Sequence, residues 1–272
     1  MSTKIQLTNG IILAAGKNSR FDTGIPKSMH EIGIQTLLER QVRQLHRAGV
    51  RNIAVVVGYR GDVLEEYIRQ VLNPKVKHTV DVIWNHDFEK ANAHSIACAR
   101  EWIGSQAPGP DDAFFCTMAD HVFSDDFFSR VTREIKVHPP AEMRATLHLA
   151  VDMVSEHNLH IDVADVTKVK LDLESAIDTS EDAPSVTGAQ IVEIGKGLSS
   201  YSYYDTGCFV LKSAIFDAVD RAIDTVGDGI SDTVTSLISQ AQARVIDVSG
   251  LFWNDVDTPD DFRKTTELLQ RY

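Results

Sequence analysis

The chain has 272 residues, 43% hydrophobic and 24% charged, with 27 Lys and Arg against 39 Asp and Glu. That length and balance exclude a disordered tail and leave enough apolar sequence for a core without disulfides or metal staples. A net charge of −12 speaks against a general nucleic-acid binder, and no apolar run nears the roughly 18 residues of a membrane helix.

The predicted elements follow in chain order. Residues 10–16 form a short apolar run ended by small residues, a buried strand. Residues 36–48 carry Leu37, Leu38, Val42 and Leu45 at helical spacing, with Gly49 as the stop. A second buried strand is expected over 52–58 and an amphipathic helix over 61–72, closed by Asn73-Pro74. Strand 79–84, helix 93–103, strand 113–118 and helix 127–137 repeat the alternation, which implies a parallel sheet covered on both faces. In the second half, 145–151, 167–173, 190–194 and 206–211 read as strands without intervening helices, so part of the sheet is antiparallel. Residues 174–188 are polar and read as a flexible loop or hairpin tip. Helices follow at 213–226 and 230–241, a strand at 244–248, and a last helix opened by Thr258-Pro259-Asp260-Asp261. The expectation is a single domain over 1–272, α/β in class, three layers deep and Rossmann-like, with a mixed, mainly parallel sheet. Its halves divide near residue 138.

Charge is uneven. Residues 1–60 hold nine Lys or Arg against three acids, and the rest holds 18 against 36. A basic end in an acidic protein suggests a local anion site. Arg40, Arg43 and Arg47 read as one solvated helix face. Lys17, Arg20 and Lys27 are different, because the loop Leu13-Ala14-Ala15-Gly16-Lys17-Asn18-Ser19-Arg20 leaves the carboxyl end of the first strand, where open α/β sheets bind ligands. Small residues there let a base or ribose lie against the backbone, and three cations suit a triphosphate. Pro26 fixes the backbone before Lys27. A surface loop with incidental cations is the competing reading.

This stretch resembles the signature of the sugar-nucleotidyltransferase superfamily, L-A-A-G-x-x-x-R followed after a gap by P-K, with Asn18 in place of a usual glycine. Two further acids, Asp120 after the fourth strand and Asp255 before the last helix, would meet at the triphosphate and bind Mg²⁺. The resemblance makes Asp120 and Asp255 the metal ligands. Asp257 stands where many relatives have Gly, and it reads equally as a metal ligand or as a helix N-terminal acid.

The segment Asn92-Ala93-His94-Ser95 is similar to cytidylyltransferases acting on small alcohol phosphates and phosphonates. Asn92 and Ser95 would hydrogen-bond the cytosine edge or ribose, or else simply cap the helix. The segments 162–169, 192–196 and 204–211 strengthen a narrower resemblance, to the inositol-1-phosphate cytidylyltransferase family. It implies acceptor binding by Lys196 and Asp205, with Lys168 as a weaker candidate that reads also as a solvated strand residue. That family's cytidylyl domain is often fused to a membrane-embedded phosphotransferase.

The expected activity is CMP transfer from CTP to a small phosphate or phosphonate, with Arg20 and Lys27 as catalytic cations. Leu13, Ala14, Ala15, Gly16 and Lys17 would line the nucleotide site, and Arg20 and Lys17 would hold the β- and γ-phosphates. Alternatives are a uridylyl- or guanylyltransferase and a non-enzymatic nucleotide-binding regulator. Cys98, Cys116 and Cys208 show no metal spacing and read as reduced thiols. With no signal-peptide build at the N-terminus, the expected location is the cytoplasm. Monomer and homodimer both stay open. His148, His157 and His160 are read as structural.

Overall fold

The computed structural model describes residues 5–17, 20, 24–106, 109, 112–138, 144–176 and 185–270. Strand β1 (Asn9–Ala14) is followed by a 3₁₀ turn at Lys27–Met29 and a small hairpin, β2 (Glu31–Ile32) and β3 (Gln35–Thr36). Helix α1 (Leu37–Ala48) is capped by Thr36, whose hydroxyl accepts from the Glu39 N–H at 3.0 Å, and stops at Gly49 with φ 106°. Strand β4 (Asn52–Val57) leads into α2 (Gly61–Tyr67), a π-helical turn at Ile68–Leu72 and α3 (Asn73–Val76).

Here the structure corrects the sequence reading, because Asn73-Pro74 does not close the helix. Pro74 falls in the first turn of α3, where a missing N–H costs nothing, and the chain leaves the helix only at left-handed Lys77. Strand β5 (Val80–Trp84) follows. The expected helix 93–103 is two pieces, α4 (Ala93–Cys98) and α5 (Arg100–Ser105), parted by a tight turn at Ala99. Then come β6 (Phe114–Met118), the short β7 (His121–Phe123) and α6 (Phe127–Val137). The second half supplies β8 (Leu147–Met153), β9 (Lys168–Asp172), β10 (Gln190–Gly195) and β11 (Tyr203–Leu211). It ends with α7 (Ile215–Thr225), α8 (Ile230–Ile238), β12 (Ala243–Asp247), β13 (Trp253–Asp255) and α9 (Pro259–Leu269). Most of the 174–188 loop lies outside the described residues.

Nine strands form one sheet in the order β5-β4-β1-β6-β11-β8-β12-β10-β9. Strands β5, β4, β1 and β6 are mutually parallel, and β11 runs antiparallel to both β6 and β8. Strand β9 turns back to pair with Tyr203 and Tyr204 of β11, so the second-half strands close on one another. Alternate residues serve opposite faces. Ile12, Ile53 and Val55 pack with α1, α2 and α6, while Ile11, Ala54 and Val56 pack with α4, α7 and α8. Each such side chain is essentially unexposed, worth about 1.5–3 kcal/mol for a Val, Ile or Phe. The three-layer architecture puts the carboxyl ends of β1, β4 and β6 on one edge.

His148 on β8 is buried, and among the described residues its Nε2 has no hydrogen-bond partner. Burial, with Lys212 and Arg244 adding to it, pushes its imidazole down to about 3. The unfolded chain takes up this proton near about pH 6.5 and the folded chain does not. Stability from this group is therefore whole above that pH and falls as pH drops toward 3. By about pH 5 the loss is about 2 kcal/mol. Urea denaturation at neutral and acid pH should show a shallower pH dependence in His148→Leu than in the parent; an equal slope would rule His148 out as the cause.

Candidate active site

Lys27 is the centre of the site. The 3₁₀ turn that carries it follows Pro26 and is tied to the start of α1 by Leu37 N–H donating to the His30 carbonyl at 3.0 Å. Its side chain is only 1% exposed, and its Nζ lies 3.0 Å from Asp120 Oδ2 and 2.9 Å from Asp257 Oδ1. Burial works against the ammonium, but Asp120 and Asp257 outweigh it and the pKa is raised. The early cationic loop and the late acids therefore meet.

Around Lys27 lies a cavity of about 230 Å³ lined by Leu13, Ala14, Ala15, Gly16 and Lys17 together with Asn92, Ser95 and Asp120. Its floor depends on Gly58, where a Cβ would stand 2.5 Å from the Phe88 Cβ and 2.8 Å from the Ala15 carbonyl. Asn92 does not cap its own helix. Its Oδ1 accepts from the Ile230 N–H of α8 at 2.8 Å, and Ser95 Oγ accepts from Asn85 Nδ2 at 3.0 Å. Lys17 is exposed and pairs with Glu89 at 2.5 Å.

Strands β7 and β13 pair as a separate two-stranded ladder in which Asp255 faces His121. Val256 N–H donates to the Asp120 carbonyl at 3.1 Å. His121 Nδ1 lies 3.1 Å from Asp120 Oδ1 and 3.8 Å from Asp255 Oδ1. Burial opposes ionisation of Asp120, but Lys27 and then His121 outweigh it and hold the carboxyl well below its usual range. His121 is likewise opposed by burial, yet Asp255 and Asp120 raise it to about 9. Asp255 is pushed up to about 7 by burial, with Asp120 and Asp257 adding to the effect, and its Oδ1 is buried without a hydrogen-bond partner among the described residues.

One ligand atom from each of Asp120, His121 and Asp255 falls within 4.8 Å of the others. A buried, unpartnered carboxylate oxygen beside a second carboxylate fits a divalent cation that prefers oxygen. Asp257 stands outside this group, since its carboxylate is taken by Lys27 and Arg20.

A second cavity of about 730 Å³ adjoins the first and shares Asn92, Met118 and Asp120 with it. Lys196, Asp205, Asp255 and Asp257 line it. Asp205 sits at an irregularity in β11, where its side chain accepts from the Gly207 N–H at 2.8 Å, and burial raises it to about 6. Arg20 lines this second cavity rather than the first, bound to Asp165 at 3.1 Å and to Asp257. Its guanidinium therefore faces the second cavity and not the first, which the small-residue loop lines. Lys168 is not the solvated strand residue that the sequence also allowed. It is buried, donates to the Lys196 carbonyl, and lies 5.6 Å from the centre of the Tyr201 ring. Among the described residues it supports Lys196 and does not line the cavity.

Two site residues escaped the sequence reading. His121 follows Asp120 directly, and that adjacency at a strand end was the available signal. Asp165 is bonded to both Arg20 and Lys196, and nothing in spacing reveals a bridge across so much chain. Those two cations, Lys196 first, hold the Asp165 carboxyl below its usual range.

The site thus joins a loop of small residues at the carboxyl edge of a parallel sheet to a buried lysine met by two acids. Residues 10–154 match the MobA-like NTP transferase domain, and the chain belongs to that family, which makes the protein a nucleotidyltransferase. It is 28% identical over 262 residues to the bifunctional IPC transferase and DIPP synthase of Aquifex aeolicus, covering 95% of this chain and 51% of that one. The chain thus spans about half the length of that relative. It is 27% identical over 200 residues to the CTP:phosphoglutamine cytidylyltransferase of Campylobacter jejuni, covering 71% and 67%. The fold matches the inositol-1-phosphate CTP transferase from T. maritima with a TM-score of 0.74 at 21% identity, covering 99% and 97%. Among the described residues no helix is long and apolar enough to cross a membrane.

Gly207 has φ 72°, and a Cβ there would stand 2.5 Å from His121 Nε2. Gly207→Ala should therefore cost about 2 kcal/mol, through backbone strain and displacement of the imidazole. Chemical denaturation measures this, and a variant as stable as the parent would show that the ring does not need the space.

Proposed function

We propose that the protein transfers CMP from CTP to a small alcohol phosphate or phosphonate and releases pyrophosphate. The observation that carries the reading is the position of Asp120, paired with Lys27, at the junction of two adjoining cavities, one walled by the small-residue loop and one holding Lys196. The similarity to proteins named for CTP-dependent transfer supports the choice of nucleotide.

In this reaction an oxygen of the acceptor phosphate attacks the α-phosphorus, and the bond from that phosphorus to the oxygen bridging to the β-phosphate breaks. The attacking oxygen is already anionic at neutral pH, so no general base is required. Catalysis is then positioning plus neutralisation of charge. Lys27 has three N–H donors, of which Asp120 and Asp257 take two. The third serves an α-phosphoryl oxygen. Asp120 and Asp255, with His121 beside them, are the residues that would hold Mg²⁺, whose contribution when bound is to polarise the phosphoryl oxygens.

Lys17 binds the distal phosphates from the nucleotide loop. Arg20 and Lys196 bind the acceptor's phosphoryl group, taking it in place of the Asp165 carboxylate that bridges them in the free protein. Asp205 accepts hydrogen bonds from acceptor hydroxyls. Leu13, Ala14, Ala15 and Gly16 pack against the nucleoside, with Asn92 and Ser95 at its polar edge.

Pyrophosphate release measured with CTP, UTP, GTP, ATP and dTTP against a panel of small phosphates and phosphonates tests the assignment, which turnover with UTP alone would overturn. Lys27→Ala should lower turnover by about 10²–10³ while CTP still binds. Calorimetric titration and steady-state rates on the same preparation separate the two effects, and near-parental turnover would remove Lys27 from the chemistry.

A further inference from the structure

Helix α1 lines neither of these two cavities, yet one of its side chains holds the turn on which Asp120 sits. Gln41 is a polar residue only 1% exposed. Its Nε2 donates to the Met118 carbonyl at 2.8 Å and to the His121 carbonyl at 2.7 Å, and its Oε1 accepts from Thr117 Oγ1 at 2.9 Å. Met118 and His121 flank Asp120 on either side. The backbone of the turn is also held by Ala119 N–H to the Leu13 carbonyl at 3.0 Å and Val256 N–H to the Asp120 carbonyl at 3.1 Å, while Lys27 and His121 hold the carboxylate itself. A buried amide that closes a turn at both ends spends its donors on geometry. Stability alone would be served as well by an apolar side chain of that size and fully paired backbone.

We infer that Gln41 is a positioning residue that sets the Asp120 carboxylate against Lys27 and Asp255. It reaches the site through backbone carbonyls and lines neither cavity. Gln44, one turn further along α1, provides an internal comparison. It is also buried, and it donates to the carbonyls of Phe123 and Ser124 at 3.0 and 3.1 Å, beyond the residues that flank Asp120. Loss of either glutamine removes hydrogen bonds to the segment 118–124, but only loss of Gln41 releases the turn that aims the carboxylate.

This inference deepens the functional reading above, and its test does not depend on turnover. Mn²⁺ is titrated into the full chain with and without CTP, free Mn²⁺ being read by electron paramagnetic resonance, for the parent, Gln41→Met and Gln44→Met. Gln41→Met should bind Mn²⁺ at least about tenfold more weakly, the scale seen when a ligand's supporting partner is lost. Gln44→Met should stay within about twofold of the parent on the same scale. Gln41→Glu keeps the bond from Thr117, loses both donors when ionised, and is read in the same way should Gln41→Met fail to fold. Equal weakening in the Gln41 and Gln44 variants would reduce Gln41 to a structural role, and parental Mn²⁺ binding in Gln41→Met, or none in the parent, would overturn the inference. A parent that binds Mn²⁺ normally but turns over no CTP would instead count against the functional reading alone.

Discussion

A lysine ammonium with almost no exposure persists in a protein only where carboxylates replace its water. Removing such an ion from water costs several kcal/mol, and the interior returns this only with good geometry and satisfied hydrogen bonds. For Lys27 the returning groups are Asp120 and Asp257, drawn from the middle and the end of the chain. Burying that one cation therefore requires three distant segments to converge, and the rest of the site is arranged around their meeting point. Both acids keep some exposure, 28% and 23% of their side chains, so solvent screens part of the attraction.

From Lys27 the alternation of charge continues. Asp257 also binds Arg20, Arg20 binds Asp165, and Asp165 binds Lys196. Each acid in this run stands between two cations. A chain with a net charge of −12 can in this way present cations to an anionic substrate without leaving them bare beforehand. In the proposed reaction the acceptor's phosphoryl group exchanges with a carboxylate already in place. Binding is then a trade of counter-ions rather than the burial of a new charge, and its cost falls accordingly.

The parts of this arrangement that were legible in the sequence share a physical basis. Strands β1, β4 and β6 are continuous apolar runs because both their faces are covered, and such runs stand out. The small-residue loop and Lys27 are local in sequence, so spacing suffices to find them. Asp120 and Asp255 were legible through resemblance. What stayed hidden was either too short or too distant. Strands β7 and β13 have three residues each, less than any periodicity can register, yet their pairing places Asp255 opposite His121. The Asp165 bridge and the support of Lys196 by Lys168 join segments whose proximity is decided by the closure of β9 onto β11. Pro74 misled because a proline in the first turn of a helix is as acceptable as one beyond its end.

The β7–β13 ladder fixes its part of the site apart from the main sheet. The ladder sets Asp255 opposite His121, with Asp120 on the turn just before it; it lies outside the main sheet and is held to α1 by buried amides. Asp165, Lys196 and Asp205 come from the second-half segments instead, and none of them belongs to that ladder. Asp165 bonds to Arg20 and Lys196 rather than to the rung that sets Asp255 opposite His121. In the proposed function, nucleotide chemistry and acceptor choice therefore rest on different pieces of backbone.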